Sequence, residues 1–268
     1  MTNQSPTSTA SDLNDERASL TCAALATGMK CLPQEKLKLA QGNVLHDWHA
    51  EVLAIRAFNR WLVDECADMA RAGSQAESQW LRWREAGRKK AQVSDSNVEI
   101  RRGADITEEE DVAVEGREDW PLDYQRFAIR DDVSIHMYCS QAPCGDASME
   151  LTMAAQDDST PWTSHPPADG MLGRGNFDQL GVVRRKPARP DAPATLSKSC
   201  SDKLAMKQCT SLLSGVTSLL VHPGNAYLRT LVLPETEYVP KAIERAFGRE
   251  GRMKSGNCLL YTSPSPRD

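Results

Sequence analysis

An α/β domain is what this 268-residue sequence predicts, and three observations carry the prediction. From Trp48 to Arg71 the apolar residues fall on one helical face. Val133, Ile135, Met137 and Cys139 alternate as a strand does. Helical and strand segments then follow one another toward the C-terminus.

Residues 1–18 are rich in Ser, Thr, Asn and Asp and read as disordered, because they hold too little apolar surface to offset ordering. Leu20 to Ala26 reads as a short strand ending at Thr27-Gly28. Residues 32–47, with Pro33, Gly42 and Asn43, read as loop. In the helix that follows, Val52, Ile55, Phe58, Leu62, Cys66 and Met69 recur at spacings of three or four, and Asp47 is its expected N-cap. Residues 72–119 change character. They carry Arg82, Arg84, Arg88, Lys89 and Lys90, then Arg101-Arg102, then the acidic run Glu108–Asp111, with few large apolar residues besides Trp80 and Trp83. This stretch reads as a helix extension followed by a solvated insertion. After the Val133–Cys139 strand, Pro143-Cys144-Gly145-Asp146 breaks the pattern, and a helix is expected from Ala147 to Ala155. Residues 156–198 are rich in Pro and Gly and read as loop. Ser199-Cys200-Ser201-Asp202 opens another helix, Ser218 to Val221 and Arg229 to Leu233 are strand candidates, and Pro240 to Phe247 starts the last helix.

The net charge is −5, yet residues 173–257 hold fourteen Lys/Arg against seven Asp/Glu, so an acidic average conceals a basic C-terminal third and does not exclude RNA. No apolar run approaches the roughly 20 residues that span a bilayer. The N-terminal MTNQSPTSTASDLNDE lacks the charged and apolar regions of a secretory signal. Eight cysteines are too sparse for a disulfide framework. An intracellular location with reduced thiols, some of them on metal, is the expectation.

Three elements carry the chemistry: His49-Ala50-Glu51, Pro143-Cys144-Gly145-Asp146 and Ser199-Cys200-Ser201-Asp202-Lys203, each at an expected helix start. Two residues apart in a helix interior point about 200° from one another. In a first turn, His49 and Glu51 can both still reach a ligand beyond the helix end. A helix N-terminus favours anions and lowers a thiol pKa. One neutral imidazole and two thiolates would hold a tetrahedral zinc with an open position, the mark of a catalytic site. Cys209 is the rival to Cys200, nine residues on and without the flanking Ser-Asp-Lys.

H-x-E with P-C-x-x-C is the established signature of zinc deaminases. Here the residue three after Cys144 is Ala147, so the second cysteine must come from elsewhere. With S-C-S-D-K at Ser199 to Lys203, the sequence resembles the adenosine deaminases acting on tRNA and double-stranded RNA. The resemblance covers most of residues 20–257 outside the insertion. GNVLHDWHAEVLAIRAFNRWL, ATGMKCLP and CSQAPCGDASMELT look closest to the fungal tRNA-acting branch.

The resemblance implies a cytidine-deaminase-like, three-layer α/β/α domain with a mixed sheet over residues 19–257. It implies zinc on His49, Cys144 and Cys200, with Glu51 as proton shuttle during hydrolysis of adenosine to inosine. It implies a tRNA partner, alanine tRNA beside the anticodon, with Lys30 near the RNA backbone. It also implies a buried inositol hexakisphosphate, with Asp47 and Lys203 in a relay toward the zinc and Arg56 at the phosphates. Two positions depart: Ile55 stands where the editing enzymes carry a basic residue, and Met206-Lys207 where they carry an Arg/Trp pair. Arg184, Arg185 and Lys186 form either a solvated basic face or a phosphate contact. The alternatives are an editing deaminase of double-stranded RNA and an inactive RNA-binding fragment. Residues 258–268, CLLYTSPSPRD, read as the in-frame translation of a transposase adapter used in sequencing libraries. The expectation is a C-terminally truncated chain, poorly stable and inactive.

Overall fold

The computed structural model describes residues 19–84, 125–157, 171–172, 181–186 and 192–253. The expectations for residues 1–18, for most of the insertion and for residues 258–268 lie outside them.

The elements run β1 (Met29–Cys31), α1 (Leu37–Ala40), β2 (Asp47–His49), α2 (Ala50–Ala72), β3 (Leu81–Trp83), β4 (Phe127–Ile129), β5 (Ile135–Tyr138), α3 (Met149–Ala154), β6 (Met171–Leu172), β7 (Arg184–Arg185), α4 (Cys200–Thr210), α5 (Val216–Leu220), β8 (Val221–His222), β9 (Leu228–Val232) and α6 (Pro240–Phe247). Helices interleave with strands that pair both ways. β3 is antiparallel to β4, β4 is parallel to β8, and β5 is parallel to β9. The chain is therefore a mixed α/β structure.

The spacing that predicts α2 is the spacing that buries it. Val52, Ile55, Leu62, Cys66 and Met69 are buried, and Phe58 is partly so. Leu62, Cys66 and Met69 pack with Leu81 of β3, Phe127 and Ile129 of β4 and Val221 of β8. Asn59 takes a buried place on the same helix. Its amide donates to the carbonyls of Ile55 (2.8 Å) and Leu212 (2.9 Å), and its oxygen accepts from the Ser214 N–H (2.8 Å). All its polar atoms are paired, so its burial costs little, and it ties α2 to the segment between α4 and α5. α6 matches its expected bounds, with Pro240 at its first position, where the missing N–H is not needed.

Several expectations are corrected. Leu20 to Ala26 forms no strand; Leu20 and Leu25 are 88% and 86% exposed, so nothing pays for ordering them. Residues 32–47 are not all loop, since they contain α1 and the start of β2. The helix does not extend past Ala72. Gly73, at φ 96°, ends it, and β3 follows inside the expected insertion. Ser218 to Leu220 belong to α5 and only Val221 begins β8. Asp47 is not the N-cap of α2. It lies in β2, fully buried, and His49 takes the cap position.

Candidate metal centre

Three chain segments converge on one point. The first is the β1–β2 ribbon, paired Met29 to His49, Lys30 to Trp48 and Cys31 to Asp47. Because strand side chains alternate, Cys31, Asp47 and His49 share one face and Lys30 and Trp48 the other. The chain turns at His49 into α2, so Glu51 sits in the first helical turn.

The second segment is Pro143-Cys144-Gly145-Asp146, and the third is the start of α4. Ser201 donates to the carbonyls of Pro143 and Cys144, both at 3.0 Å, and accepts from the Ala147 N–H at 3.1 Å. Gly145 has φ 103°, and a Cβ there would lie 2.3 Å from the Ser199 hydroxyl oxygen. Only glycine lets the two segments approach this closely. Ser199 caps α4, its oxygen accepting from the Asp202 N–H at 3.1 Å and its hydroxyl donating to the Asp202 carboxylate at 2.6 Å.

The ligand atoms of His49, Cys144 and Cys200 all lie within 4.8 Å of one another. His49 Nδ1 is 3.8 Å from Cys144 Sγ, which accepts the Cys200 backbone N–H at 3.3 Å. Cys200, not Cys209, is the second thiol of the cluster. The thiol of Cys144 is held well below the ordinary cysteine range. The hydrogen bond from Cys200 leads this lowering, over the opposing effect of burial, and His49 and Lys186 add to it. Cys200 is pushed up by burial and by Cys144. Of the pair, Cys144 ionises first. The charge of Glu51 also reaches Cys200, raising it further, which puts this carboxylate within electrostatic range of the cluster.

Beneath the cluster lies a buried charge relay. Lys186 Nζ donates to Asp47 Oδ2 at 2.6 Å and to Cys200 Sγ at 3.2 Å, and Lys203 Nζ donates to the same Asp47 oxygen at 2.8 Å. Burial alone would raise the Asp47 carboxyl. Lys186 and Lys203 overrule it and hold the group well below the usual carboxylate range. Burial would likewise lower Lys186, but Cys144, Cys200 and Asp47 lift it above the usual lysine range. Asp47 also accepts the His49 N–H at 3.0 Å, which fixes the backbone that carries the imidazole.

Cys31 is half-buried rather than an ordinary core thiol. Its Sγ donates to Asp47 Oδ1 at 3.4 Å. Burial pushes this thiol up to about 12, against the pull of Lys186 and with the help of Asp47. Sequence reasoning missed its place at the site, which only the β1–β2 register reveals.

Of the two readings of Arg184-Arg185-Lys186, the solvated basic face is corrected. These residues are 1%, 6% and 3% exposed and form no shared surface. Lys186 belongs to the relay. Arg184 turns to Asp146, with Nε 3.8 Å from the carboxylate, and its backbone N–H donates to Asp202 at 2.9 Å. Arg252 closes that second network, 2.6 Å from Asp146 and 2.7 Å from Asp202. Lys30 is exposed on β1, on the ribbon face opposite His49. Arg56 is half-buried on α2 and makes no hydrogen bond or ion pair to the described residues. Ile55 is core, packed with Leu204 and Leu212.

Two cysteine thiols and one imidazole nitrogen thus form, in a mixed α/β domain, a cluster that could hold a metal ion. Residues 24–99 and 118–263 match the adenosine-deaminase (editase) domain. The tRNA-specific adenosine deaminase 1 of Schizosaccharomyces pombe is 38% identical over 233 residues, 86% of this chain and 49% of that protein. The protein of the same name from Saccharomyces cerevisiae is 28% identical over 252 residues, 88% of this chain and 53% of its own length. The human one is 39% identical over 64 residues, 23% of this chain and 12% of its own. This chain belongs to the adenosine-deaminase (editase) domain family, and with it to the cytidine-deaminase-like α/β folds. It spans about half the length of the two yeast relatives.

Proposed function

We propose that this chain carries the catalytic centre of a zinc-dependent tRNA adenosine deaminase, with the adenosine beside the anticodon of alanine tRNA as its target. The convergence of His49, Cys144 and Cys200 within 4.8 Å, with Glu51 in the first turn of α2, carries the reading. The donors fit zinc: two soft thiols and an imidazole leave one tetrahedral position open. Bound there, zinc supplies a Lewis acid that lowers the pKa of water toward about 7.

The residues of this chain do the rest. The Glu51 carboxylate accepts a proton from the attacking water and returns it to N1 of the adenine, while the water oxygen bonds to C6. A second proton passes through Glu51 to the amino group, the C6–N bond breaks, and ammonia leaves with inosine behind. Asp47 holds His49 through the backbone, and Lys186 offsets the negative charge that two ionised thiols place in a buried site.

Inositol hexakisphosphate fits the charges on the far side of the relay. Arg56 lacks a carboxylate partner among the described residues. Lys207, lowered by burial, donates among the described residues to the Leu213 carbonyl. Arg56 and Lys203 are the residues expected to meet it. An intracellular location follows from the tRNA substrate.

Glu51→Gln should keep bound zinc, measured by elemental analysis, and lower inosine formation in tRNA by about 10²–10⁴-fold. His49→Ala, Cys144→Ala and Cys200→Ala should each lose the zinc. An unchanged rate for Glu51→Gln would overturn the catalytic assignment.

A further inference from the structure

The metal centre uses one face of the β1–β2 ribbon and leaves the other without a role. On that other face Lys30 and Trp48 are cross-strand partners, turned away from Cys31, Asp47 and His49. Directly opposed residues of an antiparallel pair carry their Cβ atoms about 4.5–5.5 Å apart, so the lysine and the indole share one small surface. Trp48 is 46% exposed, and Val44 and Leu45 just before it are each 39% exposed. The indole N–H donates to the Leu45 carbonyl at 2.7 Å. That bond fixes the ring. It also occupies its only polar atom, so the surface that remains in water is the carbon surface of the ring.

Charge decides what such a surface suits. Lys30, together with Lys36 and Lys38 in the connection between β1 and β2, is exposed, and none of the three forms an ion pair with the described residues. The carboxylates between residues 19 and 49 are Glu35 and Asp47, and Asp47 is buried in the relay. The ribbon and its connection therefore present a net positive surface beside an aromatic ring. The core of a protein–protein interface is poor in lysine. Cations beside an exposed ring are what holds single-stranded nucleic acid, with the ammonium on phosphate and the ring under a base. Trp48 directly precedes the metal donor His49, but their side chains leave the strand on opposite faces. A base on Trp48 thus belongs to a nucleotide beside the one at the metal, not to that nucleotide itself.

We propose that Trp48 is a stacking platform, with Lys30 as its phosphate partner, for an unpaired nucleotide flanking the adenosine in the metal centre. The inference rests on the tRNA reading above and deepens it, by assigning a surface to the loop around the target. Stacking on Trp48 needs a base that is free of a duplex, as the bases of an anticodon loop are. Every base has a π face, so the platform holds the loop in place without selecting its sequence.

Binding and tryptophan emission, followed together in titrations with an anticodon stem-loop, test the platform. Trp48 is one of six tryptophans, and a base stacked on it should quench its share of the emission. Trp48→Phe keeps an aromatic face, so it should bind nearly as tightly as wild type but without that share of the quench. Trp48→Ala should bind about tenfold more weakly, with its zinc content and salt slope unchanged. Lys30→Gln should instead make the salt slope smaller by about 0.7, the value for one phosphate contact on a single strand. Trp48→Ala binding as tightly as wild type, or a full quench persisting in Trp48→Phe, overturns the platform, while stem-loop binding by wild type still supports the tRNA reading. Should Trp48→Ala lose its zinc or its fold, the emission of wild type against Trp48→Phe decides alone. A fully paired RNA duplex is the control, and a Trp48 quench as large as that of the stem-loop would overturn the stack. If wild type shows the Trp48 quench with an unstructured RNA but does not bind the stem-loop, the tRNA reading fails and the platform stands. Binding to neither RNA overturns the platform.

Discussion

Two buried charge networks lie side by side in this domain and are balanced differently. One places Lys186 and Lys203 on a single carboxylate, Asp47, with Lys186 also on the Cys200 thiol. The other places Arg184 and Arg252 against two carboxylates, Asp146 and Asp202. Counted over these four side chains, the second network is balanced. The first sets two ammonium groups on one carboxylate among the described residues, and it is the one that touches the metal cluster. Lys186 also faces the thiols, one of which is already held well below its ordinary range. A network that only joins chain segments can balance itself. One that serves a site is balanced by what the site holds.

The largest test of this contrast removes the carboxylate that Lys186 and Lys203 share. Asp47→Asn takes the carboxylate from two ammonium groups, 3% and 13% exposed, that lie 2.6 and 2.8 Å from it. Breaking a buried pair on one side costs about 3–5 kcal/mol, so the variant should unfold at markedly lower urea or lose its fold. Adding Lys186→Met to Asp47→Asn should recover part of the loss, as one stranded charge goes with it. A double variant no better than the single would show that Asp47 works through the His49 backbone instead.

Asp146→Asn is expected to cost less, on the order of 1–3 kcal/mol. Arg252 retains Asp202 at 2.7 Å, and Arg184 feels the charge of both carboxylates. The urea midpoints of the two Asn variants, taken side by side, check the ranking. Equal losses would mean that the two networks are built alike after all.

How much of this was legible in the sequence depends on what kind of signal wrote it. The metal donors were, because zinc chemistry restricts residue type and helix starts restrict position. Cys144 and Cys200 stand 56 residues apart yet meet. Helices α2 and α6 were legible through apolar spacing and an N-terminal proline. Strands β3, β4 and β8 were not. Two or three residues give too short a window for a period to show. The Arg184-Arg185-Lys186 run is more instructive. A cluster in the sequence is a cluster in space only in a loop or on a helix face. In a strand, neighbours part to opposite sides, so one charge run became a relay lysine, a structural arginine and, between them, an arginine whose Nε meets no acceptor among the described residues. Cys31 was hidden for a related reason, since its contact with Asp47 exists only through the β1–β2 register.

The smallest effect is one of pH, and its sign separates the networks most cleanly. Asp47 has a folded pKa below that of the unfolded chain, about 3.9. The unfolded state therefore binds the proton first on acidification. The stability Asp47 contributes is fully present above about pH 4 and is lost as pH falls toward its lower folded value. Asp202 is the opposite case. Burial raises it, and Arg252, Ser199 and the Arg184 N–H only partly offset that. Its ionised form is destabilising in the fold, and acidification through its raised pKa, above about pH 4, relieves the strain. Chelator-treated protein keeps metal release out of both measurements. Under those conditions Asp47→Asn should flatten the acid limb of the stability curve below pH 4. Asp202→Asn should steepen the fall of stability at pH above about 4, because the compensating relief has been removed. Denaturation midpoints at half-unit pH steps resolve the two windows. If both variants bend the curve the same way, the two carboxylates share one environment, and the division of the buried charge into a site network and a joining network is wrong.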